Sequence, residues 1–356
     1  MKKNRLFLDV HVIQNLPPSN ANRDDTGSPK TAQYGGVQRA RVSSQAWKKA
    51  MRDYFKDFGE LDNVGVRTLE VIPYVARKIQ MLDENIEWEE ALKQSEKVLK
   101  AVGLKFKGQK ATALFFLGDR QAEGLAQAAI DGVEDKKELK VILQDNPAVD
   151  IALFGRMLAD DPSLNEDASS QVAHAISTHA VQTEFDYYTA VDDESTEEHA
   201  GAGMLGTIEF NSSTLYRYAN VAIHELTEQL SSNEEVIKAI NLYLKAFINS
   251  LPNGKINSFA NQTIPQAILV SVRDDRPVNL VSAFEKPIVS DTGYTEKSVK
   301  RMLSELDKSE KLLNPAVLNL FLDMEDTHIN NISVKLVDNI SELLHELNPV
   351  IESFLE

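Results

Sequence analysis

The order in which apolar periodicities follow one another limits the folds open to this chain. Residues 6–13 alternate at the two-residue period of a half-buried strand. Residues 15–42 are rich in Pro and Gly and predict a long loop, which is usually functional at this length. Ser43 or Ser44 is positioned to cap a following helix. Its apolar face holds Ala46, Trp47, Ala50, Met51, Tyr54, Phe55 and Phe58.

The middle of the chain, from residue 65 to about 190, has mostly helical spacing. Helices are predicted at 86–102, 111–130, 135–144 and 169–182. Two strands, a capped helix and a last strand follow, and residues 211–213 predict a hairpin turn between the first two. These elements span Leu205–Phe210, Thr214–Ile223, Asn233–Asn249 and Ala267–Arg273.

Without its helical insertion, the chain reads strand, helix, strand, strand, helix, strand. This is the ferredoxin-like order that RNA-recognition folds share, and it predicts an α+β protein. The same order serves many functions, so it identifies none of them. Residues 296–356 predict a helical C-terminal extension of two helices divided at Asn314-Pro315.

Charge separates the first 52 residues from the rest of the chain. They hold ten Lys and Arg against three Asp, a net charge of +7. Because the whole chain carries −16, residues 53–356 carry −23. A basic segment on an acidic protein indicates one defined polyanion site instead of diffuse attraction for nucleic acid.

Composition excludes several classes of site. With no cysteine, the chain has no disulfide, thiolate metal site or cysteine nucleophile, which fits a reducing compartment. The longest apolar run, near 111–117, is too short to span a bilayer. Residues 201–206 spell the glycine fingerprint of dinucleotide-binding folds, but an acidic stretch precedes them and a strand follows. We interpret these glycines as a mobile turn.

The helix near Ser44 carries Lys48 and Lys49 in its first turns, where the helix dipole disfavours cations. A phosphate bound there would remove the conflict. Gly35-Gly36 permit positive φ angles that bring further N–H groups to a phosphate. The alternative is a solvated amphipathic helix behind a flexible loop. Further ligands for such a phosphate are Arg41, Ser43, Ser44, Gln45 and Arg52.

Other polar groups allow alternative interpretations. Asp24-Asp25 suggests a metal site for phosphodiester hydrolysis, or else a loop cap. His174 and His179 are five residues apart and do not share a helix face as metal ligands would. The acidic stretch 192–199 suggests a cation site or an exposed loop. Lysines 105, 107 and 110 and lysines 136, 137 and 140 form two clusters that are either basic patches or solvated faces.

Longer strings carry a family resemblance. The chain resembles the CasC-type backbone subunit of the type I-E CRISPR Cascade complex. The matching strings occur in that family's order. They are Leu16–Lys30, Tyr34–Gly36, Arg41–Gln45, Val149–Met157, His174–His179, Tyr188–Asp193, Tyr216–Asn220 and Ala283–Lys286.

The resemblance implies a protein shaped like a hand. Its RRM-like palm spans 1–62 and 203–295, its helical fingers 63–186 and its protruding thumb 187–212, and 296–356 is the extension. Copies would polymerise along a CRISPR guide RNA, kink it at intervals and present it for pairing with invading DNA. The implied partners are the guide RNA, target DNA, neighbouring copies and the large, small, end-capping and guide-processing Cascade subunits. No membrane is involved, and we expect a cytoplasmic location.

The resemblance also assigns residues, and it implies no catalytic group, metal or cofactor. The implied guide-RNA ligands are Arg23, Arg39, Arg41, Ser43, Ser44, Gln45, Lys48, Lys49 and Arg52, with Arg156 and Met157 beside a displaced nucleotide. Tyr187, Tyr188 and Thr189 would open the thumb, and Lys136, Lys137 and Lys140 would face target DNA. The alternative function is a metal-dependent endoribonuclease of a related CRISPR effector that uses Asp24 or Asp25.

Overall fold

The structure is a computed structural model, and it describes residues 5–59, 63–158, 161–190, 204–324 and 334–356. The described strands are β1 (Phe7–Ser19), β2 (Thr31–Tyr34), β3 (Val37–Val42), β4 (Val66–Thr68), β5 (Phe106–Lys107), β6 (Lys110–Ala111), β7 (Phe115–Leu117), β8 (Ser170–Val172), β9 (Ala175–Ser177), β10 (Glu184–Ala190), β11 (Met204–Ala222), β12 (Pro265–Arg273), β13 (Leu318–Asp323) and β14 (Lys335–Leu336). The described helices are α1 (Ser44–Phe58), α2 (Val71–Leu82), α3 (Trp88–Val102), α4 (Asp119–Ile130), α5 (Lys136–Gln144), α6 (Val149–Phe154), α7 (Ile223–Gln229), α8 (Asn233–Asn249), α9 (Ile256–Phe259), α10 (Thr295–Leu312) and α11 (Ile340–Leu355).

One large sheet organises the chain, with strand order β14-β13-β12-β1-β11-β9-β3-β2. Strand β1 pairs antiparallel with both β11 and β12, and β8 pairs antiparallel with β11. The order β12, β1, β11 and β8 with β9, together with α1 and α8, is the ferredoxin-like arrangement. The expected α+β fold class is therefore confirmed.

Strand β1 is buried on both faces, whereas its alternation predicts a half-buried strand. One face, with Leu8 and Val10, packs in a core with α1, α8 and α11. The opposite face, with Ile13, packs against α10 and the short 3-10 helix Leu280–Phe284. Asp9 on that face is buried too, and its carboxylate accepts hydrogen bonds from the Tyr218 hydroxyl and the Val278 N–H.

Three sequence predictions are wrong. The long loop over 15–42 contains the end of β1 and the hairpin β2–β3. The helix over 169–182 is replaced by β8 and β9, because these residues pair with β11. The turn at 211–213 does not exist, since β11 runs unbroken through it along β1.

The insertion between α1 and β8 has its own apolar core, formed mainly by α2, α3, α4 and α5. The predicted helices at 86–102 and 135–144 are confirmed by α3 and α5. The stretch 111–130 divides into β7 and α4. Two short antiparallel pairs, β4–β7 and β5–β6, complete this unit.

The C-terminal segment contains the two expected helices, α10 and α11. Between them, β13 pairs antiparallel with β12 and extends the large sheet, which the sequence did not predict. Beyond the core, β10 and the first part of β11 form a two-stranded ribbon from the pair Glu184 and Phe210 to the pair Ala190 and Met204. No described helix is both long and apolar enough to cross a membrane.

Candidate nucleic-acid interface

The N-terminal end of α1 lacks the groups that usually neutralise a helix start. Ser43 occupies the N-cap position, but its side chain makes no capping bond, and the first turn holds no acidic residue. The main-chain N–H of Ser43 donates to the Asn22 Oδ1 at 2.8 Å. The positive end of the dipole is thus followed by Lys48 and Lys49 with no compensating carboxylate in the first turn, which favours an anion at this position.

A cleft of about 790 Å³ runs between α1 and the insertion that separates α1 from β8. It brings together six residues that the sequence assigned to nucleic acid: Gln45, Lys48, Lys49, Arg52, Arg156 and Met157. The residues predicted from sequence do not include the other wall of the cleft, which is formed in part by Arg67, Leu114, Phe116, Phe154 and Asn165. Phe154 lies in the matching string Val149–Met157, whereas the other four residues come from three distant segments that no local pattern links.

Lys48 is a cation of this cleft that is free to bind, and the exposed Arg67 lines the same cleft. Its ammonium lies 5.5 Å from the centre of the Phe154 ring, and burial lowers its pKa. Among the described residues, no carboxylate lies within ion-pair distance of Lys48. Across the cleft, the Met157 side chain is 87% exposed. A cation, an aromatic ring and an exposed thioether therefore surround one space.

Arg52 and Arg156 have structural partners. The Arg52 Nε donates to the buried Asp150 carboxylate at 3.0 Å, and its guanidinium lies 4.3 Å from the Phe116 ring centre. The buried Arg156 donates to the main-chain oxygens of Leu164 and Leu143 at 2.9 and 2.8 Å. The Arg52 guanidinium therefore joins α1 to α6, and the Arg156 guanidinium joins segments of the insertion and is too deeply buried to contact a nucleotide.

Arg39 is also structural. It is fully buried and donates to Ser177 O and Phe284 O, both at 2.8 Å. Arg39 also donates to Tyr34 O in the β2–β3 turn. This turn needs glycine, because Gly35 has a φ of +60° and a Cβ there would meet Glu285 O at 1.6 Å. The sequence predicted that Gly35-Gly36 offers N–H groups to a phosphate. In the structure this turn instead packs on the segment near residue 285.

Arg23 and Asp24 lie in the loop between β1 and β2, in a second cleft of about 760 Å³ on another side of α1. Arg23 is therefore separated from the Lys48 cleft, and Lys49 lines both. The Asp24 Oδ1 accepts hydrogen bonds from Thr26 and Ser28 of its own loop, and these bonds lower its pKa. This geometry is that of a loop cap.

Exposed aromatic rings mark the β10–β11 ribbon. Phe185 and Tyr187 are 67% and 65% exposed, and they lie two residues apart on one face. Phe185 was missed by the sequence analysis, although the period-two spacing indicates it. Tyr188 and Thr189 are also exposed, and Gly206 leaves room for the Tyr188 ring, which a Cβ would meet at 2.4 Å. Such rings can stack on bases.

The three lysines of α5 differ from one another. The Lys140 and Lys136 ammonium groups lie 2.8 and 3.7 Å from the Asp161 carboxylate, whose pKa falls to about 2 because Lys140 and Ser163 donate hydrogen bonds to it. Lys137 is exposed and has no carboxylate partner among the described residues. One lysine of the predicted stripe is thus fully available to a polyanion.

The remaining candidates form no metal site. His174 pairs with the Arg41 Nη1 at 3.1 Å, while His179 stacks on Tyr294 and accepts the Thr214 N–H at 3.0 Å. Within the described part of the chain, no group of three or more His, Asp or Glu residues is arranged to hold a metal. The acidic stretch 192–199 and the glycines at 201 and 203 lie outside the described residues.

A family model for the CT1975-like protein matches residues 8–347. The chain belongs to the CT1975-like family. Two solved structures are also similar to this CT1975-like protein. A chain of a "CRISPR RNA-guided surveillance complex, pre-nicking" is 30% identical with a TM-score of 0.85, covering 98% of this chain and 100% of that one. A chain of a "CRISPR RNA-guided surveillance complex" is 26% identical with a TM-score of 0.74, covering 96% and 99%.

No curated protein matched this CT1975-like chain. The family match and the two structural matches confirm the resemblance to a Cascade backbone-type CRISPR-associated protein, which the sequence strings had indicated.

Proposed function

We propose that this CT1975-like protein is a non-catalytic backbone subunit of a type I-E Cascade. It binds CRISPR guide RNA, oligomerises along it and presents it for pairing with invading DNA. Similarity over nearly the whole chain to subunits of CRISPR RNA-guided surveillance complexes supports the association with guide RNA and other Cascade subunits. Because such a complex meets invading DNA inside the cell, we assign the protein to the cytoplasm.

The observation that carries this proposal is the cleft beside α1. There Lys48 is unpaired among the described residues and lies over Phe154, next to a helix start without acidic side chains. Met157 and Phe116 give the opposite wall apolar surface. Lys48 and Arg67 beside this apolar surface fit a phosphodiester backbone with an unstacked base, while Glu166 and Asp167 line the same cleft and reduce its net positive charge.

These groups suit a protein that must accept any guide sequence. Lysine and helix N–H groups recognise phosphate and carry no base preference. Sequence specificity would then come from pairing between guide and target, as in other RNA-guided systems. The exposed rings of the β10–β11 ribbon supply a surface that can separate or stack bases of the guide, which supports the assignment of this ribbon as the thumb.

Target DNA would meet the fingers. Of the α5 lysines, we assign the main contact to Lys137, because Lys136 and Lys140 share the carboxylate of Asp161. We leave Arg39 and Arg156 out of the RNA interface, since their guanidinium groups are buried and bonded to main-chain oxygens.

The test is the RNA affinity of Lys48→Ala against Lys56→Ala, an exposed lysine on the same helix. Loss of one phosphate contact should weaken binding of a single-stranded RNA and reduce the slope of log K against log salt by about 0.7. Lys56→Ala should behave as wild type. Equal effects of the two variants, or none from Lys48→Ala, would remove this cleft from the interface.

A further inference from the structure

Three basic side chains come together beside β3. The Arg41 Nη1 lies 3.1 Å from the His174 Nδ1, and the charge of Lys30 also acts on that imidazole. Within the described residues, none of the three has a carboxylate at ion-pair distance. Positive charges that gather without a counter-charge repel one another, so this basic group favours a bound anion.

Arg41 decides which nitrogen of His174 carries the proton. A guanidinium can only donate hydrogen bonds, so the Nδ1 that faces it must be the acceptor. The imidazole is therefore neutral, and its hydrogen lies on Nε2. Partial burial and the charges of Arg41 and Lys30 lower the pKa of His174, which agrees with the neutral form. Among the described residues, these two are the charged groups that act on the ring.

A small recess adjoins the basic group, and both Lys30 and Arg41 line it. None of the described residues that line this recess is a carboxylate. Asn211 lines it too; its side chain is buried, and its Nδ2 has no hydrogen-bond partner within the described residues. The recess holds about 20 Å³, which is room for one oxygen atom. Ammonium, guanidinium and amide donors together suit an oxygen of a phosphate.

The basic group lies next to the anion-binding start of α1. Asn22 lines the recess and also accepts the main-chain N–H of Ser43, the N-cap of α1. The Arg41 Nε donates to Thr31 O at 2.9 Å, which holds the guanidinium beside the recess. Because Arg41 is only two residues before Ser43, successive phosphates of one strand can reach both places.

We propose that His174 is a further ligand of a guide-RNA phosphate, together with Lys30 and Arg41, and that it takes up a proton when the phosphate binds. This inference rests on the proposed function and deepens it. The phosphate supplies the counter-charge that the basic group lacks, which favours the imidazolium. The proton comes from the solvent and binds at Nδ1. Since two donors cannot face each other, the Arg41 guanidinium then turns from that nitrogen to the phosphate.

The test measures affinity for a single-stranded RNA at pH 6 and pH 8 with wild type, His174→Asn and His345→Asn. An asparagine oxygen can replace Nδ1 as the acceptor for Arg41, but it cannot take up a proton. His345 is exposed on α11 and is the matched control. Wild type and His345→Asn should bind about threefold to tenfold more tightly at pH 6 than at pH 8, whereas His174→Asn should bind equally at both.

NMR titration of labelled histidines gives a second measurement, in which the signal of His174 is the one absent from His174→Asn. Its pKa should rise when the RNA is added. An unchanged pKa, a wild type whose affinity does not depend on pH, or equal pH dependence in wild type and His174→Asn would each overturn the proposal. If His174→Asn does not fold by circular dichroism, His174→Gln gives the same comparison. Failure of the proposed function looks different, because Lys48→Ala would then leave RNA binding unchanged at either pH.

Discussion

Arg52 joins the helix of the interface to the buried Asp150 of α6, so its replacement should affect stability before it affects binding. The Asp150 carboxylate is fully buried and accepts the Arg52 Nε at 3.0 Å and the Gly65 N–H at 2.7 Å. In Arg52→Ala the carboxylate keeps the Gly65 bond but loses its counter-charge.

The expected cost is about 3 to 5 kcal/mol of unfolding free energy, the usual penalty for removing one partner of a buried ion pair. The contact of Arg52 with the Phe116 ring adds to it. Lys49→Ala is the control on the same helix, because its pair with Asp53 is largely exposed. That variant should lose no more than about 0.5 kcal/mol.

The cost should depend on pH. Burial raises the pKa of Asp150, while the charge of Arg52 and its hydrogen bond lower it. Without Arg52 the pKa rises further, and a protonated carboxyl needs no cation. When the pKa of a carboxyl is raised on folding, the free energy of unfolding falls as pH rises. The unfolding free energy of Arg52→Ala should therefore be closer to that of wild type at pH 5 than at pH 8.

Urea unfolding at both pH values, followed through the buried Trp47, measures this difference. Adding Asp150→Asn to Arg52→Ala should recover part of the lost stability. A loss under about 1 kcal/mol that does not change with pH would refute the structural role. A folded Arg52→Ala protein with weakened RNA binding would then return Arg52 to the guide ligands.

Three further outcomes follow from the geometry. Gly35→Ala should lose about 2 kcal/mol or more in thermal unfolding, since its Cβ would meet Glu285 O, whereas Gly36→Ala has open space and should lose about 1 kcal/mol; equal losses would contradict this. Burial raises the pKa of Asp9 to about 7, so ionisation of this carboxyl should lower the wild-type unfolding free energy by at most about 4 kcal/mol as pH rises from about 4 to 7. Asp9→Asn should remove that decline; an unchanged dependence of unfolding free energy on pH would contradict this. Tyr187→Ala should keep the melting temperature and weaken RNA binding by about 1 to 3 kcal/mol, and unchanged affinity in filter binding would exclude stacking.

Local signals predicted several elements well. The alternation of β1, the apolar face of α1 and the Ser232 side chain that caps α8 all act within a few residues. They supply one strand and both helices of the ferredoxin-like core, whereas β8, β9 and the unbroken β11 were not predicted. The strings Arg41–Gln45 and Val149–Met157 also contain Gln45, Arg156 and Met157, which line the cleft.

The failures share a physical cause, which is pairing over long sequence separations. Residues 169–182 have helical spacing, yet β8 and β9 form because β11 offers them a partner. Asn211–Ser213 is typical of a turn, but pairing with β1 keeps it extended. Arg39 and Arg52 lie in the basic N-terminal segment, and Arg156 lies in a string that matches the family. Only the folded chain reveals that their guanidinium groups donate to buried oxygen atoms.

We propose that copies of this protein bind guide RNA side by side, independent of its sequence. Native mass spectrometry of the protein with CRISPR-derived RNAs of increasing length tests this proposal. The number of bound subunits should rise by one for each fixed increment in RNA length, and equally for scrambled sequences. A single bound copy at every length, or binding that depends on sequence, would contradict it.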